Sequence, residues 1–210
     1  MINRDHKFIF IHIPKTGGTS IESVFVADAA EKDVPFKHGN ARQYQKKFSK
    51  AFSSYFKTSV VRNPWDMVAS LYSWLWHTDS PFNRWPKKWR SQTQTPLDWT
   101  LNEWIKSDQF LRSSHRALSI DNPHPRQENT QLDWISDSNG DLLIDYIMRF
   151  ENLQHDFDTV CDIIGIPAQK LPHLNKSKRK HYSECYDNEA RKIVAEKYAK
   201  DIDYFGYKFG

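Results

Sequence analysis

Residues 8–22 read F-I-F-I-H-I-P-K-T-G-G-T-S-I-E, and this stretch decides the fold. Phe8 to Ile13 is an apolar run rich in β-branched and aromatic residues, the pattern of a buried strand. Pro14 breaks the run, Lys15, Thr16, Gly17, Gly18, Thr19 and Ser20 form a turn, and a helical pattern follows from about Ile21 to Ala30. Strand, glycine turn with hydroxyls and one lysine, then a helix start is the layout of a phosphate cradle. Glycines let backbone N–H groups approach an anion, the helix N-terminus adds open donors and positive dipole, and the lysine adds a full charge. The order differs from a Walker A loop, G-x-x-x-x-G-K-[ST], because Lys15 precedes the glycines. The plainer reading of the same residues is a Gly-Thr-Ser turn that caps an ordinary helix.

Outward from this loop, strand and helix patterns alternate. Thr58 to Val61 is a second strand that ends in Arg62-Asn63-Pro64-Trp65-Asp66, and apolar residues recur at helical spacing from Trp65 to Trp76. Leu142 to Phe150 is a third strand pattern, ending in R-F-E-N-L. Asn152 is placed to cap a helix that stops at Gly165. Residues 31–57 are polar and basic, 77–96 read as a loop, Leu97–Lys106 as a helix, 171–183 as a basic loop, and Asn188–Lys200 as the last helix. This order predicts an α/β fold, a central parallel sheet flanked by helices on both faces. Ligands of such sheets bind beyond the C-terminal strand ends, where Lys15, Arg62 and Glu151 all fall.

Composition narrows the function. A chain of 210 residues suits a single domain, 1–210, and 39% hydrophobic with 14% aromatic content marks a globular protein. A net charge of +4 suits an anionic ligand and is too mild to single out nucleic acid. Cys161 and Cys185 make no disulfide framework, and Cys161 reads as a buried small hydrophobe. No H-E-x-x-H or C-x-x-C spacing occurs, so no metal site is expected. The sequence holds no run of transmembrane length, and M-I-N-R-D-H-K leads directly into the first strand. A cytoplasmic location is the expectation.

Two further signals accompany the loop. V-V-R-N-P-W-D-M-V-A-S-L-Y puts Arg62 at a strand end and Ser70 about two turns into a helix. An arginine fork with a serine hydroxyl suits a terminal phosphate. Taken alone, Arg62 reads as an ion-pair partner of Asp66 or a carbonyl cap, and Ser70 as a small packing residue. L-P-H-L-N-K-S-K-R-K-H-Y, residues 171–182, carries six His, Lys or Arg residues. That run is either an anion surface or a solvated loop.

Together P-K-T-G-G-T-S, R-N-P-W-D, R-F-E-N-L, L-P-H-L-N-K-S and the C-terminal Y-A-K-D-I-D-Y-F-G-Y resemble, in order, the sulfotransferases that use 3′-phosphoadenosine 5′-phosphosulfate (PAPS). The chain looks like the carbohydrate branch, heparan and chondroitin type, in a soluble bacterial form. The resemblance implies a P-loop-like three-layer fold and transfer of a sulfuryl group from PAPS, with no metal required, to a hydroxyl of a glycan or glycolipid. It implies that Lys15, Thr16, Gly17, Gly18, Thr19 and Ser20 hold the 5′-phosphosulfate, and that Lys15 bridges the leaving oxygen and the sulfuryl group. It further implies that Arg62 and Ser70 hold the 3′-phosphate, and that Asn175, Lys176 and Ser177 close over the nucleotide.

The base that takes the acceptor proton has two candidates. His38 resembles in position the histidine base of the uronyl 2-O-sulfotransferases, a residue type able to accept a proton near neutrality, and also reads as a surface histidine in a basic loop. Glu22 stands just after the loop, as in other branches, and also reads as a first-turn charge that complements the helix dipole. His12 is expected to pack or bond locally. Residues 77–130 are expected to line the acceptor side, with Trp85 and Trp89 either facing a sugar or anchoring their own loop. Trp65, Trp74, Trp76 and Trp104 read as core. The rival functions are a P-loop kinase or other phosphotransferase, and a binding module for sulfated or phosphorylated polymers.

Overall fold

The computed structural model describes residues 1–27, 32–33, 39–76, 99–107, 110, 130–174 and 179–210. The chain divides into two compact units, Met1–Arg62 with Leu118–Asn175, and Asn63–Ala117 with Lys176–Gly210. The described strands are β1 (Ile2–Asn3), β2 (Phe8–Ile11), β3 (Lys32–Asp33), β4 (Phe56–Val61) and β5 (Tyr146–Arg149). The described helices are α1 (Gly18–Ala27), α2 (Ala41–Lys47), α3 (Ser49–Ser54), α4 (Pro64–Trp76), α5 (Leu101–Lys106), α6 (Gln131–Ile135), α7 (Leu153–Ile164), α8 (Asn188–Lys197) and α9 (Ala199–Phe205).

The first unit holds the sheet, in the order β3-β1-β2-β4-β5. β2, β4 and β5 are parallel, as the alternation of elements predicts. The edge beyond β2 is antiparallel instead, because β1 pairs antiparallel with both β2 and β3. The short connection between Asn3 and Phe8 accounts for this, since a tight turn can join only antiparallel neighbours.

Every residue of β2 is buried, which is why its sequence is continuously apolar rather than alternating. Phe8, Phe10, Val60 and Met148 face Ile21, Val24 and Phe25 of α1 and Phe157, Val160 and Cys161 of α7. On the opposite face the Lys57 ammonium lies 5.6 Å over the ring of Phe52 in α3, and α2 packs on α6. The result is the three-layer α/β arrangement.

Several boundaries differ from the sequence expectation. α1 begins at Gly18 rather than near Ile21, so the two glycines divide between turn and helix. The polar stretch 31–57 contains α2 and α3, and α2 is started by a capping box of Asn40 and Gln43. The third strand is limited to Tyr146–Arg149. Asn152 stands at the start of α7 without making a cap bond, and its Nδ2 donates to Asp156 Oδ1 at 3.0 Å. Gly165 ends α7 at φ +73°, a left-handed conformation that favours glycine.

The second unit is helical. Pro64 occupies the first position of α4, where its missing N–H costs nothing. Trp65, Val68 and Leu71 of α4 pack with Leu101 and Trp104 of α5 and with Ala190 and Val194 of α8. Trp65 Nε1 donates to Arg191 O at 3.0 Å. The last expected helix breaks at Tyr198 into α8 and α9, and α9 runs on to Phe205. Trp65 and Trp104 are buried, Trp74 packs against the same cluster, and the side chain of Trp76 lies outside the description. Among the described residues no helix is long and apolar enough to cross a membrane. Of the expected acceptor-side region 77–130, only 99–107, 110 and 130 are described; Trp85 and Trp89 lie outside.

Candidate functional site

The loop and the contacts of Arg62 belong to the first unit. Parallel pairing of β2, β4 and β5 delivers three chain segments to one sheet edge: the loop after Ile11, Arg62 after Val61, and Phe150 after Arg149. The loop is shaped by two left-handed residues, Lys15 at φ +70° and Gly17 at φ +87°. Alternating backbone hands are how a short segment turns successive N–H groups to one side. A non-glycine residue at positive φ is uncommon and needs a local reason. That reason is Arg62, whose Nη1 donates to Lys15 O at 2.8 Å.

Contacts from below fix the loop. Thr16 is fully buried and its hydroxyl donates to Ile13 O at 2.8 Å, so it ties the loop to the strand end. A Cβ at Gly17 would sit 3.1 Å from Leu153 and Phe150 side-chain carbons. At Gly18 it would sit 2.3 Å from His12 Cδ2. Thr19 is exposed at the first turn of α1. Ser20 N donates to Gly17 O at 3.0 Å, and Ser20 Oγ accepts from Leu174 N at 3.4 Å. The start of the 171–183 loop therefore reaches the glycine turn.

Arg62 is 7% exposed and is held by Phe150 and Gln131 as well as by Lys15 O. Its guanidinium lies 3.7 Å from the centre of the Phe150 ring. Its main-chain N donates to Gln131 Oε1, and its carbonyl accepts from Gln131 Nε2, both at 2.8 Å. Of the two readings of Arg62 taken alone, the carbonyl contact is the one present. Asp66 instead pairs with Arg179 within the second unit.

The electrostatics follow from crowding two cations. Burial, and then the Arg62 charge, lower the Lys15 ammonium from its ordinary 10.5 to about 7. An anion seated between Lys15 and Arg62 would relieve both costs. The donors gathered here, an ammonium, a guanidinium, the Thr19 and Ser20 hydroxyls and the start of a helix, are those that suit phosphate or sulfate oxygens.

Glu22 sits in the second turn of α1, not the first, with Oε2 3.0 Å from His12 Nδ1. Ser70 is a half-buried residue of α4 in the second unit. His38, Asn175, Lys176 and Ser177 lie outside the described residues. Arg149 and Glu151 are exposed at the end of β5. Sequence reasoning missed Gln131 and Phe150. Phe150 was visible as the residue after a strand end, whereas nothing local to Gln131 distinguishes it. Among the described residues no group of three or more His, Cys, Asp or Glu side chains is placed to hold a metal.

A family model described as the Sulfotransferase family matches residues 1–208. No curated protein and no solved structure matches the chain.

Proposed function

The chain belongs to the sulfotransferase family, and from that premise we propose that it transfers a sulfuryl group from PAPS to a hydroxyl of a glycan or glycolipid. The observation that carries the donor assignment is the joining of Lys15 and Arg62 at one sheet edge by the 2.8 Å bond from Arg62 Nη1 to Lys15 O. PAPS, when bound, supplies an activated sulfuryl group whose leaving group is a phosphate.

The residues of this chain divide the work by charge. Lys15 balances the charge that develops on the leaving phosphate, supported by Thr16, Thr19, Ser20 and the amides of Gly17 and Gly18. The buried site makes that cation more effective than it would be in water. Arg62 offers a planar fork to the 3′-phosphate, held in place from behind by Phe150 and Gln131. The family resemblance adds Ser70 to the same phosphate, Asn175, Lys176 and Ser177 to the nucleotide, and His38 or, as the alternative, Glu22 as the base for the acceptor hydroxyl. A soluble, cytoplasmic enzyme of the carbohydrate branch is the proposed setting.

The deciding experiment is calorimetric titration with 3′-phosphoadenosine 5′-phosphate, the product nucleotide, against ATP with magnesium. Binding of the product nucleotide, lost in Lys15→Ala and Arg62→Ala, is expected. Binding of ATP–magnesium alone would replace this reading with phosphoryl transfer.

A further inference from the structure

We propose that His12 and Glu22 act as a positioning pair that props the loop from beneath and sets where its anion-binding amides stand. The proposal rests on the reading of the Lys15 loop as the 5′-phosphosulfate site. His12 directly follows β2 and is 6% exposed, with its ring 5.9 Å from that of Phe10. The imidazole fills the space beneath Gly18, the first residue of α1. A Cβ there would lie 2.3 Å from Cδ2, 2.5 Å from Nε2 and 2.8 Å from Cγ. Gly18 is not among the residues with positive φ. Glycine is required at this position by the histidine ring, not by the backbone.

The same ring holds α1 a second time. Its Nδ1 stands 3.0 Å from Glu22 Oε2. Residues 18 and 22 lie one turn apart on one face of the helix. Two grips one turn apart, on a ring fixed to the end of the central strand, set both the rotation of α1 and its height above the sheet. The open N–H groups of the first turn move with the helix. Glu22 is thereby held by His12, and its carboxylate acts through the histidine. The pair acts mainly on the 5′-phosphate side of the nucleotide, because Arg62, although its Nη1 also bonds Lys15 O, is anchored by Gln131 and Phe150 as well.

The test compares binding of 3′-phosphoadenosine 5′-phosphate with that of adenosine 3′-phosphate, which lacks the 5′-phosphate, by calorimetry on the full chain. His12→Ala is expected to weaken the bisphosphate at least about tenfold and the monophosphate far less, as a loop displaced by about an ångström would. Glu22→Gln is expected to show the same pattern at smaller amplitude. Gly18→Ala is expected to lose bisphosphate binding, and the double variant His12→Ala/Gly18→Ala to recover part of it, since the obstructing ring is gone. Should His12→Ala fail to fold, His12→Asn with Gly18→Ala supplies the same comparison.

Equal losses for both nucleotides would overturn the proposal by making His12 a general stabiliser. So would a double variant no better than Gly18→Ala. Normal bisphosphate binding in Lys15→Ala would overturn the phosphosulfate reading itself. Loss in Lys15→Ala with none in His12→Ala would overturn only the prop.

Discussion

The side chain of Gln131 completes both main-chain hydrogen bonds of Arg62, accepting from its N–H and donating to its carbonyl at 2.8 Å each. Arg62 is the first residue beyond β4, where the strand ladder has ended. The carboxamide thus substitutes for a missing strand, while the guanidinium reaches Phe150 and Lys15 O. Gln131→Met keeps the size and removes both bonds, leaving two buried groups unpaired at about 1–3 kcal/mol each. The expected result is a lower urea midpoint together with weaker binding of 3′-phosphoadenosine 5′-phosphate. Gln131→Glu, which still accepts but does not donate when ionised, should fall between. Wild-type affinity in Gln131→Met would show that Arg62 needs no such support.

Arg62→Lys tests geometry against charge. Lysine keeps the cation but loses the planar stack on Phe150 and the fork that reaches Lys15 O. Affinity for the product nucleotide is expected to drop at least about tenfold, a little over 1 kcal/mol. Titration of Arg62→Lys beside Phe150→Leu measures it. Full retention in Arg62→Lys would mean that only the charge is used.

Lys15 makes the site pH-dependent. With its ammonium lowered to about 7, the free protein holds Lys15 mostly neutral at about pH 8, and a bound phosphate draws the proton back. Product-nucleotide binding at that pH is expected to take up a proton, and affinity to fall as pH rises above about 7. Calorimetry in two buffers of unlike ionisation heat reads the uptake, and Lys15→Met should abolish it. Stability runs the opposite way. Between about 7 and 10.5 the unfolded chain binds the proton and the folded one does not, so stability rises with pH across that window. Thermal melts of the free protein against Lys15→Met should show that rise only in the wild type.

In the second unit, Asp66 of α4 and Arg179 form a close ion pair, with exposures of 15% and 16%. Removing one partner strands the other in a poorly hydrated place. Asp66→Ala is therefore expected to cost about 2–4 kcal/mol, and Asp66→Ala/Arg179→Ala less than the sum of the singles. Urea unfolding of the four proteins in this cycle gives the coupling. Strict additivity would mean that the pair contributes nothing.

Legibility followed the range of the signal. The strand at Phe8, the turn at Gly17, the proline start of α4 and the glycine stop at Gly165 are each encoded within a few residues, and each was readable. The start of α1 was misplaced by three residues because glycine is a poor helix former. Its acceptance at position 18 depends on the packing of His12. α2 and α3 were missed because Lys46, Lys47 and Lys50 dominate a polar stretch whose buried residues, Ala41, Tyr44 and Phe52, are too widely spaced to form an obvious stripe.

The sequence by itself determined that this is an α/β chain with a loop of lysine, glycines and hydroxyls after its first long strand and an arginine after its second parallel one. Those features are written in local periodicity and turn chemistry. Only the tertiary structure decided which residues serve them. Gln131 meets Arg62 across 69 positions, Arg62 meets Lys15 across 47, and Asp66 takes Arg179 across 113 rather than the neighbouring arginine. Such partnerships depend on strand register and helix docking, which bring together side chains that no local pattern relates.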